Sequence, residues 1–483
     1  MRKFSAVLMC LMLLGSLLAA CGGKNNASDQ ANNGGANTPS NTGGTNTATD
    51  EPKDDITQRK VTLKIHYPLP DETTLRAQED DKIARFQAMY PNVTIIKDDW
   101  QYDINEIGVK MASNEAPTFY NTWATEANFL VERGWVADIT DLWNSWEYKD
   151  EINPVIQNQF IVDGKVFGIT QNGYITSTVV NKKILDDKGV SIPALDWTWD
   201  DMYNTAKEVA DPKKGISGIA PMGKGNEAGW NWTNFLFEAG GDIENNVDGK
   251  VTAVFNSDAG IKALDFYKKL RWEANAIPQD WALGWGDAVS SFQQGRTGMV
   301  IAGAFDVVQA ALNEGGMKPE DVLVYPMPAA EAGGKHYGIL GGNYLVINPN
   351  ATKDEQEMAF RYITFDYFSE GSLKAVEDTI NARKAEGKYY VPTPLEYFKE
   401  DSEYAGKIQA IYDKYDNVYK YDPNLFSLLE GKPEAQFGTQ DYYATMSNVV
   451  QESFSKKDTD SKKQLDVAAQ FVQENYFDKI EAK

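Results

Sequence analysis

Cysteine is nearly absent from this chain. Of 483 residues only Cys10 and Cys21 are cysteines. The long body therefore has no thiol for a disulfide, a thiolate zinc site or a cysteine nucleophile. Histidine is equally scarce. His66 and His336 stand alone, without the spacing of a triad or a metal site. Positive charge is also short: 47 Lys and Arg face 70 Asp and Glu, a net charge of −23. Such a surface disfavours nucleic acid and anionic lipid as partners and hints at a neutral or cationic ligand. No apolar run reaches the ~20 residues of a membrane span, and no internal repeat is visible.

What is present begins with an address label. Arg2 and Lys3 precede an apolar run over residues 6–18, the pattern of a signal peptide spanning 1–21. Without Arg2 and Lys3 the net charge becomes −25. The run ends in Leu18-Ala19-Ala20-Cys21-Gly22, which resembles the bacterial lipobox. The resemblance implies cleavage before Cys21, lipidation of its sulfur, and tethering outside the cytoplasm by acyl chains at about 0.8 kcal/mol per methylene. The plainer reading is an ordinary secretory signal with Cys21 incidental. Residues 22–58 are Gly, Asn, Thr, Ser and Asp with almost no large apolar residue, so a disordered tether is expected. As a flexible coil it would span roughly 30–40 Å.

The body from residue 59 onward is too long for one core and predicts two lobes. Residues 61–67 alternate as a strand, Ile83, Phe86 and Met89 mark a helix stripe, and residues 93–96 form a second strand. This order predicts a parallel α/β sheet with right-handed crossovers. Asp163-Gly164 between apolar pairs is a hairpin turn. Gly168 and Gly173 punctuate a long strand reaching Asn181. Thr198 with Asp201 three residues on is a capping box for a helix over 199–210. Helices are expected at 230–239 and 258–271, with an Asp248-Gly249 hairpin between them, and at 358–368, 403–415, 442–454 and 465–477.

Five segments then fall in one order: Pro117 to Ile139; Asp163-Gly164-Lys165 with Val180-Asn181-Lys182; Trp197-Thr198-Trp199; Phe292-Gln293-Gln294-Gly295-Arg296-Thr297-Gly298-Met299; and Gly341-Gly342. Together they resemble the sugar-type solute-binding lipoproteins of ABC importers, the maltose-binding group. Phe305 departs from the Trp that many members carry, and the part beyond Gly371 matches only in its last two helices. The resemblance implies an α/β, two-lobed fold with discontinuous lobes joined by three crossings. Lobe one would be 59–171 plus 298–343, and lobe two 172–297 plus 344–483, with crossings near 168–177, 295–299 and 342–344. It further implies hinge closure on a carbohydrate, an ABC permease as partner, no bond broken and no cofactor. A monomer is expected.

A sugar site wants aromatic planes for C–H faces and amides or carboxylates for hydroxyls. Trp123 follows a strand end. Trp230 and Trp232 open a second-lobe helix after a polar loop, and Trp285 lies between glycines. Tyr174 and Tyr344, with Asn172 and Asn343, fall on the expected crossings. These eight are the candidate ligand residues; each also has a plain packing role open to it. Trp135, Trp143 and Trp146 read as structural. The pairs Asp98-Asp99 and Asp200-Asp201 are adjacent in sequence and poorly placed to flank a glycosidic bond. The 242–249 acidic stretch lacks the glycine position and closing glutamate of a calcium loop. Tyr389-Tyr390 and Tyr442-Tyr443 read as packing aromatics, so no metal site is expected. A secreted polysaccharide-acting enzyme and a peptide or polyamine binder remain the alternatives.

Overall fold

The computed structural model describes residues 55–70 and 72–480. The expected signal peptide, Cys21 and most of the tether lie outside the described residues. The last tether residues belong to the fold: Asp55 caps a 3-10 turn, Ile56–Gln58, and Ile56 is buried in the core. The polar composition of 22–58 concealed this one large apolar anchor.

The strands are β1 Val61–His66, β2 Val93–Asp98, β3 Phe119–Trp123, β4 Ile161–Val162, β5 Lys165–Val166, β6 Ile169–Asn181, β7 Ser217–Ile219, β8 Glu244–Val247, β9 Lys250–Ala253, β10 Thr297–Gly303, β11 Val322–Tyr325, β12 His336–Ile347 and β13 Leu429–Pro433. β1 pairs parallel with β2 and β3, as the opening pattern predicts. Both expected hairpins form, β4–β5 and β8–β9, with Asp163, Gly164, Asp248 and Gly249 all at positive φ. Two consecutive left-handed residues give the twist that a two-residue hairpin needs. The capping box on helix Trp199–Val209 is present with both reciprocal bonds.

Two long strands organise the rest. β6 has 13 residues, which at about 3.3 Å per residue is enough to run through two sheets. Its first half pairs with β12, and its second half pairs with β10 and β11. β12 likewise begins beside Met327 and ends against β3. Two bodies result, each with its own core. Leu63, Ile65, Phe119, Ile169 and Ile347 mark the first, continued by Tyr120, Leu130 and Phe160. Trp199, Trp232, Phe235, Tyr267 and Met446 mark the second, continued by Val179, Phe292 and Val307.

Two stretches pack in the opposite body from the one expected: residues 298–339, with Val307, Val322 and Ile339 in the second-body cores, and helix Lys353–Ile363. β10 pairs with β6 and β7, and Met299 and Ile301 enter the second core. Helix Lys353–Ile363 packs Met358, Ala359 and Tyr362 into the first. The physical reason is the direction of β12. It carries the chain from the second body back to the first, so residues 295–299 are no crossing and 342–344 cross the other way. The third passage is a helical insert, helices Glu370–Ala385 and Glu403–Tyr412. It closes a small core of its own around Leu373, Ile380, Phe398 and Ile408 before the chain re-enters the second body.

Candidate functional site

The two crossing strands pair with each other, and a row of half-buried side chains lies on one face of the pair. Asn343 of β12 faces Trp123 of β3 on one side and Asn172 of β6 on the other. Its Nδ2 donates to Asn172 Oδ1 at 2.8 Å. Tyr174, two residues beyond Asn172, shares that face by strand alternation. Its cross-strand partner is Gly341. A Cβ on Gly341 would stand 2.2 Å from Tyr174 Cζ, so the ring lies across the space that the glycine leaves open.

Trp230 meets Tyr174 edge to face, ring centres 6.5 Å apart. It sits in the second turn of helix Gly225–Glu238, packed on both second-body clusters and half-buried. Gly303 caps helix Ala304–Asn313, and a Cβ placed on it would stand 3.6 Å from Tyr174 Cβ, so the start of this helix brings Asp306 into the neighbourhood. Asp306 is reachable by water, yet enough protein surrounds it that desolvation raises its carboxyl pKa. Desolvation also lifts Tyr174 far above the ordinary phenol value, and the carboxylates of Glu434 and Asp306 add to the shift.

Glu434 follows β13 and accepts a hydrogen bond from the Tyr443 hydroxyl. Burial pushes it up to about 7, with Glu126 contributing repulsion. Glu126 belongs to the first body. It is buried, its pKa is raised by desolvation, and it accepts from Tyr102 Oη at 2.7 Å and Thr125 Oγ1 at 3.0 Å. Tyr102 in turn meets Trp123 edge to face at 5.4 Å. Carboxylates and aromatic rings from the two bodies thus face one another.

A cleft of about 600 Å³ opens beside Glu434, bordered by residues other than Asn172, Tyr174, Trp230 and Asn343. Ala124, Thr125 and Asn128 line one side, and Pro433, Glu434 and Gln436 the other. A second space, about 450 Å³, continues toward Asp441. These sizes suit a small ligand. Two hydrogen bonds join the bodies here, Asn128 Nδ2 to Gln436 O at 3.0 Å and Gln440 Nε2 to Thr125 Oγ1 at 3.3 Å.

Five of the eight candidate residues therefore stand together: Trp123, Asn172, Asn343, Tyr174 and Trp230. Two others are packing residues in this conformation. Trp232 is fully buried in the second core, since positions two apart on a helix point roughly 200° apart. Tyr344 faces away from its neighbour Asn343; it is fully buried, stacks on Phe160 at 4.4 Å and donates to Ile156 O at 2.6 Å. Trp285 does not join the five; its backbone N–H donates to Glu227 Oε2 at 2.7 Å, near the start of the helix that carries Trp230, and its side chain packs on the Val179 cluster. The sequence reading missed Glu126, Asp306 and Glu434. No group of three or more metal-ligating side chains occurs among the described residues.

Comparison with known proteins fits this arrangement. Residues 70–370 match the family model described as bacterial extracellular solute-binding protein. A binding protein of Brucella abortus (strain 2308) is 22% identical over 266 residues, 54% of this chain and 62% of that protein. A periplasmic-binding protein of Sinorhizobium fredii, described as belonging to an amino-acid ABC transporter, is 26% identical over 207 residues, 42% of this chain and 44% of that protein. The chain thus spans less than two thirds of these curated relatives. Among solved structures, an ABC substrate-binding protein of Listeria monocytogenes in complex with cycloalternan superposes with a TM-score of 0.66 at 17% identity, covering 86% of this chain and 98% of that one. A solute-binding protein of Thermotoga lettingae bound with α-D-tagatose gives 0.64 at 20% identity, covering 86% and 99%. The two-lobed periplasmic-binding fold is common to them.

Proposed function

Because the chain belongs to the bacterial extracellular solute-binding protein family, we propose that it captures a carbohydrate between its two bodies and delivers it to an ABC permease. The observation that carries the reading is the row of side chains on the crossing strands. Tyr174 and Trp230 offer apolar ring faces, while Asn172, Asn343 and the Glu434 and Asp306 carboxylates offer hydrogen-bonding partners. A pyranose presents that pair of surfaces, C–H faces and a rim of hydroxyls. Solved relatives holding cycloalternan and tagatose lend the class support.

The mechanism is a population shift. The bodies move as two lobes about β6, β12 and the insert. A ligand touching both binds the closed form better and draws the equilibrium toward it. No bond is broken, and the permease reads the closed outer faces. Cys21 carries the lipid, residues 22 onward tether the body outside the cell membrane, and the protein works as a monomer. A thermal-shift screen tests this. A sugar that binds raises the melting temperature according to RT ln(1 + [L]/Kd). Release of reducing ends by the pure protein would instead favour a polysaccharide-acting enzyme. A shift only with amino acids, peptides or polyamines would move the ligand class.

A further inference from the structure

Arg383 reaches Gln309 of the second body and Thr379 accepts from Gln78 of the first, but one short segment of the helical insert, residues 389–399, is anchored in both bodies. At its start Tyr389 exchanges two hydrogen bonds with Asn313 of the second body, Tyr389 N to Asn313 Oδ1 at 2.8 Å and Asn313 Nδ2 to Tyr389 O at 3.0 Å. Val391 is buried in the second-body cluster with Val307 and Val322. At its end the first body holds it. Gly173 N–H donates to Leu395 O at 3.1 Å, Asn153 N–H to Tyr397 O at 2.7 Å, and Lys399 N–H to Glu151 O at 2.9 Å. Leu395 is buried with Ile156 and Tyr344. Between the anchored side chains lie Pro392 and Pro394, each fixing its own φ and restricting the residue before it.

We propose that residues 389–399 act as a strut that limits how far the cleft opens. Its two ends are plugged into different bodies only a few residues apart, and the stretch between them is stiffened by proline. Separation of the bodies must therefore withdraw Val391 or Leu395 from a core or break the Asn313 or Gly173 bonds. The strut is seated on the crossing strand itself, since a Cβ at Gly173 would lie 2.9 Å from Leu395 Cδ2. One residue further along is Tyr174. Holding the ligand-free protein near the arrangement in which Tyr174, Trp230 and Glu434 already converge raises the fraction competent to bind. The inference rests on the hinge of the proposed function, not on the identity of the ligand.

The test needs no ligand. Small-angle scattering and amide hydrogen exchange are measured on the ligand-free mature protein, on Asn313→Ala and on Pro392→Gly/Pro394→Gly. The expected result is a larger radius of gyration in both variants. The Gly173 amide should also exchange about tenfold faster, the factor that loss of one ordinary hydrogen bond supplies. If either variant melts without cooperativity, the folded one decides alone. Scattering and Gly173 exchange unchanged from wild type in a folded variant would overturn the strut. A strut effect in a protein that binds no sugar would leave the inference standing and remove the carbohydrate reading alone.

Discussion

Replacing Gly341 by alanine should weaken ligand binding while leaving the fold intact. The added methyl would sit 2.2 Å from Tyr174 Cζ, 2.3 Å from its hydroxyl and 2.8 Å from Cε1. Carbon atoms in comfortable contact stand about 3.5–4.0 Å apart, so the ring must withdraw by roughly 1.5 Å. The atoms in conflict are the far end of a half-buried side chain, so the ring can turn while the β6–β12 ladder stays whole. The strain retained should fall at or below the ~1–3 kcal/mol typical of overpacking. The binding loss follows from the displaced ring. An aromatic face contributes about 0.5–1.5 kcal/mol beyond its buried area, and 1.4 kcal/mol is tenfold in Kd. Calorimetry with the best sugar from a screen should therefore show Kd weakened about tenfold, with a cooperative melt. The decisive control is the double variant. In a Tyr174→Ala background, Gly341→Ala should change affinity little, because the methyl then has nothing to displace. Equal losses in both backgrounds would refute the reasoning.

The neighbouring tryptophans should separate cleanly. Trp232→Ala should cost about 3–5 kcal/mol of stability, as for other large core truncations, whereas Trp230→Ala should mainly lower affinity; calorimetric melts and titrations read the two apart. Glu434→Gln should flatten the pH dependence of stability. Burial raises this carboxyl from 4.5 to about 7, so between those pH values the folded protein holds a proton that the unfolded chain has lost. Wild-type stability then falls as pH rises through the window and levels off above it, each unit corresponding to at most about 1.4 kcal/mol. Denaturant melts at pH 4.5 and pH 8 should show the variant gaining on wild type only at the higher pH, a slope from Glu244 and Glu396 remaining. Cys21→Ser should shift the protein from the membrane fraction to the medium of expressing cells, as read by immunoblot.

Local chemistry was the legible part of this chain. Asp163-Gly164, Asp248-Gly249 and Thr198 with Asp201 act within a few residues, and each formed the turn or cap that its side chains favour. The long strand to Asn181 was legible for the same reason. The assignment of segments to bodies was not, because Met299 and Met358 look equally apolar whichever core receives them. The direction of β12 decides that, and direction is a property of the whole topology.

The site shows a similar division. Tyr174, Asn172 and Asn343 follow from strand alternation once the crossing strands are placed. Trp232 could have been set aside: with Phe235 and Leu236 it makes the i, i+3, i+4 stripe of a buried helix face. Glu126, Asp306 and Glu434 carry no such signal. They are three among 70 acidic residues, separated in sequence and brought together by the packing of two bodies.

The most direct test of carbohydrate capture is a calorimetric titration of the mature protein with neutral oligosaccharides, repeated with Tyr174→Ala. Saturable one-to-one binding without product formation, weakened in the variant, is the predicted result. Binding of amino acids or polyamines with no response to any sugar would contradict the account, as would sugar binding that Tyr174→Ala leaves unchanged.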